Sequence, residues 1–153
     1  MANPLRLTKG EAIAGELISN NEVVVGTDLE VADDADVTGA FGKGVTVTTE
    51  ADGASMAISA AELLGGIIVA TPTEARNIQA PTAALLIEAV DADTETGLGF
   101  EFTVINLAAD THALTLTVNT GTTIVGSATI AAATSATFVA RLASTSAVVI
   151  YRK

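Results

Sequence analysis

The C-terminal part of the chain alternates between apolar and polar residues with a period of two. Three stretches show the pattern, at positions 100–104, 114–118 and 137–142. Successive side chains of a strand point to opposite faces, so the alternation predicts half-buried antiparallel strands. Turn-forming residues separate them, at Asn119-Thr120-Gly121, Val125-Gly126-Ser127 and Ser144-Thr145-Ser146.

Three further apolar runs predict strands. Residues 67–71 and 76–79 are candidates ahead of the alternating region, and residues 147–151 are apolar at every position. A strand that is apolar on both faces is one that is covered on both sides. The last run is therefore expected in the centre of a sheet or at a subunit interface.

Two short helices are expected before residue 91. Ser59 and Glu62 have the spacing of a capping box, and Gly65-Gly66 follows as a stop signal. A second helix is predicted over residues 82–90, with Pro81 at the favoured first position. The side chains expected to share its apolar face are Leu85, Leu86, Ala89 and Val90.

The first 54 residues differ from the rest. Short β-like runs at 22–25, 29–31 and 45–49 alternate with acidic or glycine-rich turns, and Thr8 and Glu11 have capping-box spacing ahead of a short apolar stretch. The sequence thus predicts two domains, residues 1–54 and 55–153. The expected fold class is mainly β: an antiparallel β-sandwich or jelly-roll-like domain with one or two short helices, preceded by a small acidic β module.

Composition and charge narrow the functional classes. The 153 residues are 49% hydrophobic but only 3% aromatic, they include no cysteine, and the net charge is −11. The negative charge disfavours nucleic acid and anionic membranes as partners, because both are bound by Lys and Arg. All eighteen acidic residues lie between Glu11 and Asp110. Residues 1–10 have no apolar core of the kind a signal peptide needs.

Candidate chemistry is sparse, and no enzyme activity is predicted. His112 is the only histidine and is interpreted as a turn residue, since no nucleophile elbow or oxyanion loop accompanies it. The glycine-rich stretch 39–44 departs from the P-loop pattern, with Gly44 where Ser or Thr would hold magnesium. Carboxylates for glycoside hydrolysis are plentiful, but tryptophan platforms for a sugar are absent. No cofactor and no transition-metal site is expected.

Two acidic runs leave calcium binding open as an alternative to solvated loops. One comprises Asp28, Glu30, Asp33, Asp34 and Asp36. The other spans residues 91–97 and begins like an EF-hand loop, but its glycine comes one position late and Phe102 stands where the closing glutamate should be.

Six short motifs follow one another between residues 59 and 152. They are Ser-Ala-Ala-Glu-Leu-Leu-Gly-Gly-Ile-Ile at 59–68, Ala-Pro-Thr-Ala-Ala at 80–84, Gly-Phe-Glu-Phe-Thr-Val-Ile-Asn at 99–106, Thr-Leu-Thr-Val-Asn-Thr-Gly at 115–121, Thr-Ile-Val-Gly at 123–126 and Ala-Val-Val-Ile-Tyr-Arg at 147–152. In the order and spacing of these motifs, residues 59–152 resemble a module of tailed-bacteriophage virion proteins, in particular head decoration (cement) proteins and head fibres. The first 54 residues lie outside the resemblance.

The resemblance implies a homotrimer on the outer face of an icosahedral head, bound to the major capsid protein mainly through its N-terminal part. The expected capsid contacts are Leu5, Arg6 and Leu7, an extended segment ahead of any core pattern. The acid-free C-terminal strands supply the expected trimer interface, since a ring of like charges there would be costly. Its expected residues are Phe100, Phe102, Val148 and Ile150.

A second function remains open, namely a head- or tail-fibre adhesion module that binds a host receptor or glycan. The low aromatic content favours the decoration protein, because glycan sites usually recruit Trp or Tyr and only Tyr151 is present among these two types. The expected location is the virion, on the outer capsid surface, after synthesis in the host cytoplasm.

Overall fold

The computed structural model describes residues 44–90 and 96–153, which form ten strands and two helices. The strands are β1 Thr46–Glu50, β2 Met56–Ala57, β3 Gly66–Ala70, β4 Arg76–Gln79, β5 Gly99–Asn106, β6 Leu114–Thr117, β7 Thr122–Val125, β8 Thr129–Ile130, β9 Thr134–Ser144 and β10 Ala147–Arg152. The helices are α1 Ala60–Gly65 and α2 Ala83–Ala89.

The strands form two sheets that enclose one hydrophobic core. The six-stranded sheet has the order β1-β3-β5-β9-β10-β7, and the four-stranded sheet has the order β2-β4-β6-β8. Inward-facing side chains from both sheets and from both helices belong to a single buried cluster. The prediction of a mainly β, sandwich-like domain with two short helices is confirmed.

The direction of most strand pairs differs from the expected antiparallel arrangement. Five of the pairings are parallel and three, β5–β9, β9–β10 and β6–β8, are antiparallel. From β1 to β9 the chain passes from one sheet to the other after each strand, so neighbouring strands of one sheet are joined by crossovers. Parallel pairs require such crossovers, whereas tight hairpins give antiparallel pairs.

The predicted turns therefore have two different roles. Ser144-Thr145-Ser146 joins the antiparallel pair β9–β10 as a hairpin. The turns at Asn119–Gly121 and Val125–Ser127 instead carry the chain between the sheets, from β6 to β7 and from β7 to β8. Gly121 and Gly126 have φ angles of +76° and +96°, which side chains with a Cβ rarely adopt.

Replacing Gly121 by alanine is expected to destabilise the domain. A Cβ at this position would lie 2.8 Å from both the Ala83 Cβ and the Ser146 carbonyl oxygen. Left-handed strain and this overlap together should cost about 1–3 kcal/mol, read from urea unfolding. Gly53→Ala is the matched control, since its Cβ would meet nothing within 4 Å. Equal unfolding midpoints for the two variants would contradict the prediction.

Helix α1 is capped as its sequence predicts. Ser59 Oγ accepts from the Glu62 backbone N–H at 3.2 Å, and the Glu62 carboxylate accepts from the Ser59 N–H at 2.7 Å. These hydrogen bonds from Ser59 also lower the pKa of Glu62. The helix ends at Gly66, whose φ of +98° lets the chain turn directly into β3.

Helix α2 differs from its prediction in two details. Thr82 is the N-cap and its Oγ1 accepts from the Leu85 N–H, so Pro81 precedes the cap instead of occupying the first helical position. The buried face consists of Ala83, Leu86 and Ile87, while Leu85 is 51% exposed. The residues Leu85, Leu86, Ala89 and Val90 therefore do not share one buried face as expected.

In the alternating segments, the side chains that point to the inner face of the sheet are buried, as the period of two predicts. Phe102 and Phe138 stack with ring centroids 5.3 Å apart, between strands paired at that register. Their neighbours on the same inner face are fully or almost fully buried, namely Val104, Ala136, Ala140, Leu142, Val148 and Ile150.

This burial corrects the predicted trimer interface. Phe102, Val148 and Ile150 have exposed fractions of 1%, 0% and 0% in the single chain, so they have no surface to offer a second copy. Phe100 is half-buried against the same core. The strand apolar on both faces, β10, lies inside the sheet between β9 and β7, and its inward side chains complete the chain's own core.

The predicted domain boundary at residue 54 is also displaced. β1 pairs in parallel with β3 over Thr46–Glu50, and the compact unit that holds both sheets spans Lys43–Lys153. The run 45–49 looked like part of the acidic module because its partner strand lies about twenty residues further on, beyond local pattern. The predictions for the preceding residues lie outside the described ranges; they concern Leu5, Arg6, Leu7, the capping-box spacing of Thr8 and Glu11, and the runs 22–25 and 29–31.

Candidate interaction surface

One face of the six-stranded sheet points away from the core and carries mainly β-branched side chains. Alternation within each strand and the pairing register identify its members, which we call the outer face. They are Val47 and Thr49 of β1, Ile67 and Val69 of β3, Glu101, Thr103 and Ile105 of β5, Ser135, Thr137, Val139 and Arg141 of β9, Val149 and Tyr151 of β10, and Thr123 and Val125 of β7.

The charges on the outer face are confined to one part of it. Glu101 and Arg141 lie near the beginning of β5, and the Lys153 ammonium forms an ion pair with Glu101. The row formed by Thr49, Val69, Ile105 and Ser135 has no charged side chain. In the adjacent row Thr103 and Thr137 share a hydrogen bond of 3.0 Å, which leaves their methyl groups beside the valines and isoleucines.

The outward face of the four-stranded sheet is polar. Its outward positions are Asn77 and Gln79 of β4, Thr115 and Thr117 of β6, with Ala57 and Thr129 on the short strands. A polar outward face is what a sheet in water normally has. The two outward faces of this domain are therefore chemically unequal.

The composition of the outer face is typical of a sheet that is covered on both sides. Strands that are buried on both faces have sequences that are near-continuous apolar runs. β3, with Gly-Ile-Ile-Val-Ala, and β10, with Ala-Val-Val-Ile-Tyr-Arg, are such runs. Yet Val47, Val125 and Tyr151 are 59%, 51% and 38% exposed. The outer face is therefore the candidate interaction surface, since exposed apolar patches are typical of such sites.

A polar cluster joins the β1–β2 connection to the start of β4. The Arg76 Nε donates to Asp52 Oδ1 at 2.8 Å, the Thr73 hydroxyl and backbone N–H donate to Asp52 Oδ2, and Glu74 pairs with the other side of Arg76. The hydrogen bonds from Arg76 and Thr73 hold the pKa of Asp52 well below its usual value. Every charge in the cluster has a partner within it. The cluster therefore has a structural role, which is to hold the β1–β2 connection against the start of β4.

The lowered pKa of Asp52 predicts that the stability of the fold depends on pH. A carboxyl whose pKa is depressed by folding stabilises the native state above its unfolded pKa of about 3.9, and this contribution is lost as the pH falls toward the folded value. Asp52→Asn should therefore lower the urea midpoint at pH 7, and the gap to wild type should close progressively below about pH 4.

Glu74→Gln is the control for this prediction. Glu74 contacts the same guanidinium, but its side chain is 66% exposed against 22% for Asp52. Exposed ion pairs contribute little, so its gap at pH 7 should be much smaller. A gap for Asp52→Asn that persists unchanged at low pH would show that the charge of Asp52 is not what stabilises the fold.

His112 has a structural environment. It lies in the β5–β6 connection, and its backbone carbonyl accepts a hydrogen bond of 2.8 Å from the Asn106 Nδ2. Asn106 is fully buried and also bonds to the Ile130 carbonyl and the Ala108 N–H, so it ties this connection to β8. The role of Asn106 was not predicted, because in the sequence it is one of several polar residues at the ends of strands.

A shallow groove of about 570 Å³ lies where β5 begins and both helices end. Its lining includes Leu64, Val90, Leu98 and Phe100, with Glu101 at the polar side. Phe100 is thus the one residue of the predicted trimer interface that borders a surface feature. The lining is mainly apolar and offers few hydrogen-bonding groups for a sugar.

Within residues 44–90 and 96–153, no group of three or more His, Cys, Asp or Glu side chains is placed to hold a metal ion. The acidic run Asp28–Asp36 and residues 91–95 of the second run lie outside these ranges, as do residues 39–43 of the glycine-rich stretch. None of the described helices is long and apolar enough to cross a membrane.

Comparisons of the chain with models of protein families, with curated proteins and with solved structures found no match.

Proposed function

We propose that this protein is a structural virion protein, a decoration protein of a tailed-bacteriophage head. It binds the major capsid protein on the outer surface of the head as a homotrimer and stabilises the shell without chemistry of its own. The resemblance of residues 59–152 to such modules supports the class of protein. The observation that supports self-association is the aliphatic outer face of the six-stranded sheet.

The outer face suits a threefold interface better than the residues first expected. It combines Val, Ile and Thr side chains in the middle of the sheet with charges near one end, the apolar core and polar rim of a protein–protein interface. A trimer would carry a net charge of −33, three times the −11 of each chain. Such a charge repels packaged DNA and favours the outside of the head.

Stabilisation follows from binding to the assembled lattice only. A ligand that binds the intact shell and not its separated subunits lowers the free energy of the shell by mass action. Three linked binding sites raise the avidity well above that of one, by about 10²-fold or more when the geometry allows. The trimer therefore stabilises the shell by binding neighbouring capsid subunits at the same time.

The test adds purified protein to heads that lack it. We expect a molar mass of three times 15.3 kDa by light scattering, co-sedimentation with heads, and a higher temperature of DNA release. His112→Ala should behave as wild type in all three measurements, since the substitution keeps the backbone carbonyl that accepts the hydrogen bond from Asn106.

Two outcomes would overturn the proposal. Protein that binds heads without raising the release temperature is not a cement, and an adhesion module would then be the better interpretation. Electron micrographs separate the two, because a cement gives uniform knobs at threefold positions whereas an adhesin gives a few projecting fibres. A monomer at micromolar concentration would remove the trimer and its avidity.

A further inference from the structure

The six-stranded sheet has two edges that run in the same direction. In the described part of the chain, β1 ends the sheet on one side and β7 ends it on the other. β1, β3 and β5 are mutually parallel, β9 is reversed, and β10 and β7 return to the first direction. A strand placed beside β7 and parallel to it therefore has the direction of β1.

Three of the usual protections against pairing are missing from both edge strands. Edge strands in water are often blunted by lysine, proline or a bulge. Thr46–Glu50 and Thr122–Val125 contain no lysine and no proline, and the register irregularity at Ala147/Val148 belongs to the β9–β10 pairing. Val47 and Val125, one on each edge strand, are more than half exposed on the outer face.

We propose that β1 of one copy pairs in parallel with β7 of the next copy around a threefold axis that runs along the strands. This inference rests on the homotrimer proposed above and adds how its subunits join. The three six-stranded sheets then form one closed β structure, and the outer face of each sheet points toward the axis. Closure of this kind leaves no edge of the six-stranded sheets free.

The alternative edge pairings leave one edge of each six-stranded sheet unpaired. Pairing β1 with β1, or β7 with β7, about a twofold axis is antiparallel, ends at a dimer and leaves the other edge of each copy in water. The pairing of β1 with β7 is heterologous, so a rotation of one third of a turn closes it into a ring. The same arrangement turns the outer faces of the three sheets toward one another, and packing of these faces across the axis would take their valines and isoleucines out of water.

Disulfide cross-linking tests the pairing, because the natural chain has no cysteine. The outward positions of the two edges are combined in three double variants: Val125→Cys with Val45→Cys, with Val47→Cys or with Thr49→Cys. Neighbouring strands bring Cα atoms within disulfide range only in the correct register. After oxidation with diamide, we expect one double variant to run mainly as a covalent trimer on a non-reducing gel, and each single variant to stay monomeric there.

The controls separate this inference from the trimer itself. Val125→Cys with Thr117→Cys, which lies on the outward face of the other sheet, should give no covalent trimer. If light scattering shows a trimer but no β1–β7 pair cross-links above this control, the edge pairing is overturned and the homotrimer stands. Self-linked dimers of the single variant Val47→Cys would indicate twofold pairing and also overturn it. A monomer by light scattering would overturn the homotrimer together with the edge pairing.

Discussion

The Ile105→Asp variant is expected to be a folded monomer. Ile105 lies in the charge-free row of the outer face, between Val69 of β3 and Ser135 of β9, and its side chain points away from the core. In the proposed trimer three new carboxylates would meet near the axis without partners. An unpaired buried charge costs at least about 3 kcal/mol per site, so trimer dissociation constants should rise by about 100-fold or more.

Light scattering across a concentration series measures this change, and circular dichroism checks that the β structure remains. Thr117→Asp is the matched control, since it places the same side chain on the outward face of the four-stranded sheet. The control should remain a trimer with wild-type mass. A trimeric Ile105→Asp variant of unchanged affinity would show that the outer face is not the association surface.

The Ile150→Asp variant is expected to fail to fold. Ile150 is fully buried on the inner face of β10, between Ala140 of β9 and Ile124 of β7. The substitution removes a core side chain and buries a carboxyl without a partner, at a cost of about 4 kcal/mol or more. This is much of the stability of an ordinary domain, so the variant should be unfolded or insoluble at 25 °C.

The neighbouring residue gives the control for that variant. Val149→Asp changes the adjacent position of the same strand, but Val149 faces outward beside Arg141. We expect Val149→Asp to keep its circular dichroism spectrum and to unfold cooperatively in urea, because its new carboxylate lies at the surface beside Arg141. If both variants fold equally well, the assignment of inner and outer faces is wrong, and with it the location of the association surface.

The elements of this fold were predictable where local patterns specify them. The capping box at Ser59 and Glu62, the strand 76–79 and the inward residues Leu116, Phe138 and Leu142 lie as the sequence indicates. Strand direction was not predictable in this way, because it depends on which strand becomes the neighbour. The turn at Gly121 has the same local sequence signals whether it closes a hairpin or passes between sheets.

The outer face, which is the proposed association surface, was not predicted for a related reason. The apolar character of β10 was visible, but its two sets of side chains, Val148 and Ile150 against Val149 and Tyr151, face opposite sides of one sheet. Period alone does not say which set points to the core. In the four-stranded sheet, the polar side chains of β4 and β6 identify the outward face. The six-stranded sheet has no equivalent polar face, and this becomes visible only when the strand pairings are known.

The repeated passage of the chain between the two sheets has a consequence for how the protein folds. β3 forms its pairs with strands about twenty residues before it and more than thirty residues after it, and β7 finds its partner only at the end of the chain. Contacts between distant segments require large loops to close first, which slows folding to the millisecond-to-second range. The β9–β10 hairpin is the exception and can form early. A chain emerging from the ribosome would hold β1 through β7 without a complete sheet until that hairpin has been synthesised.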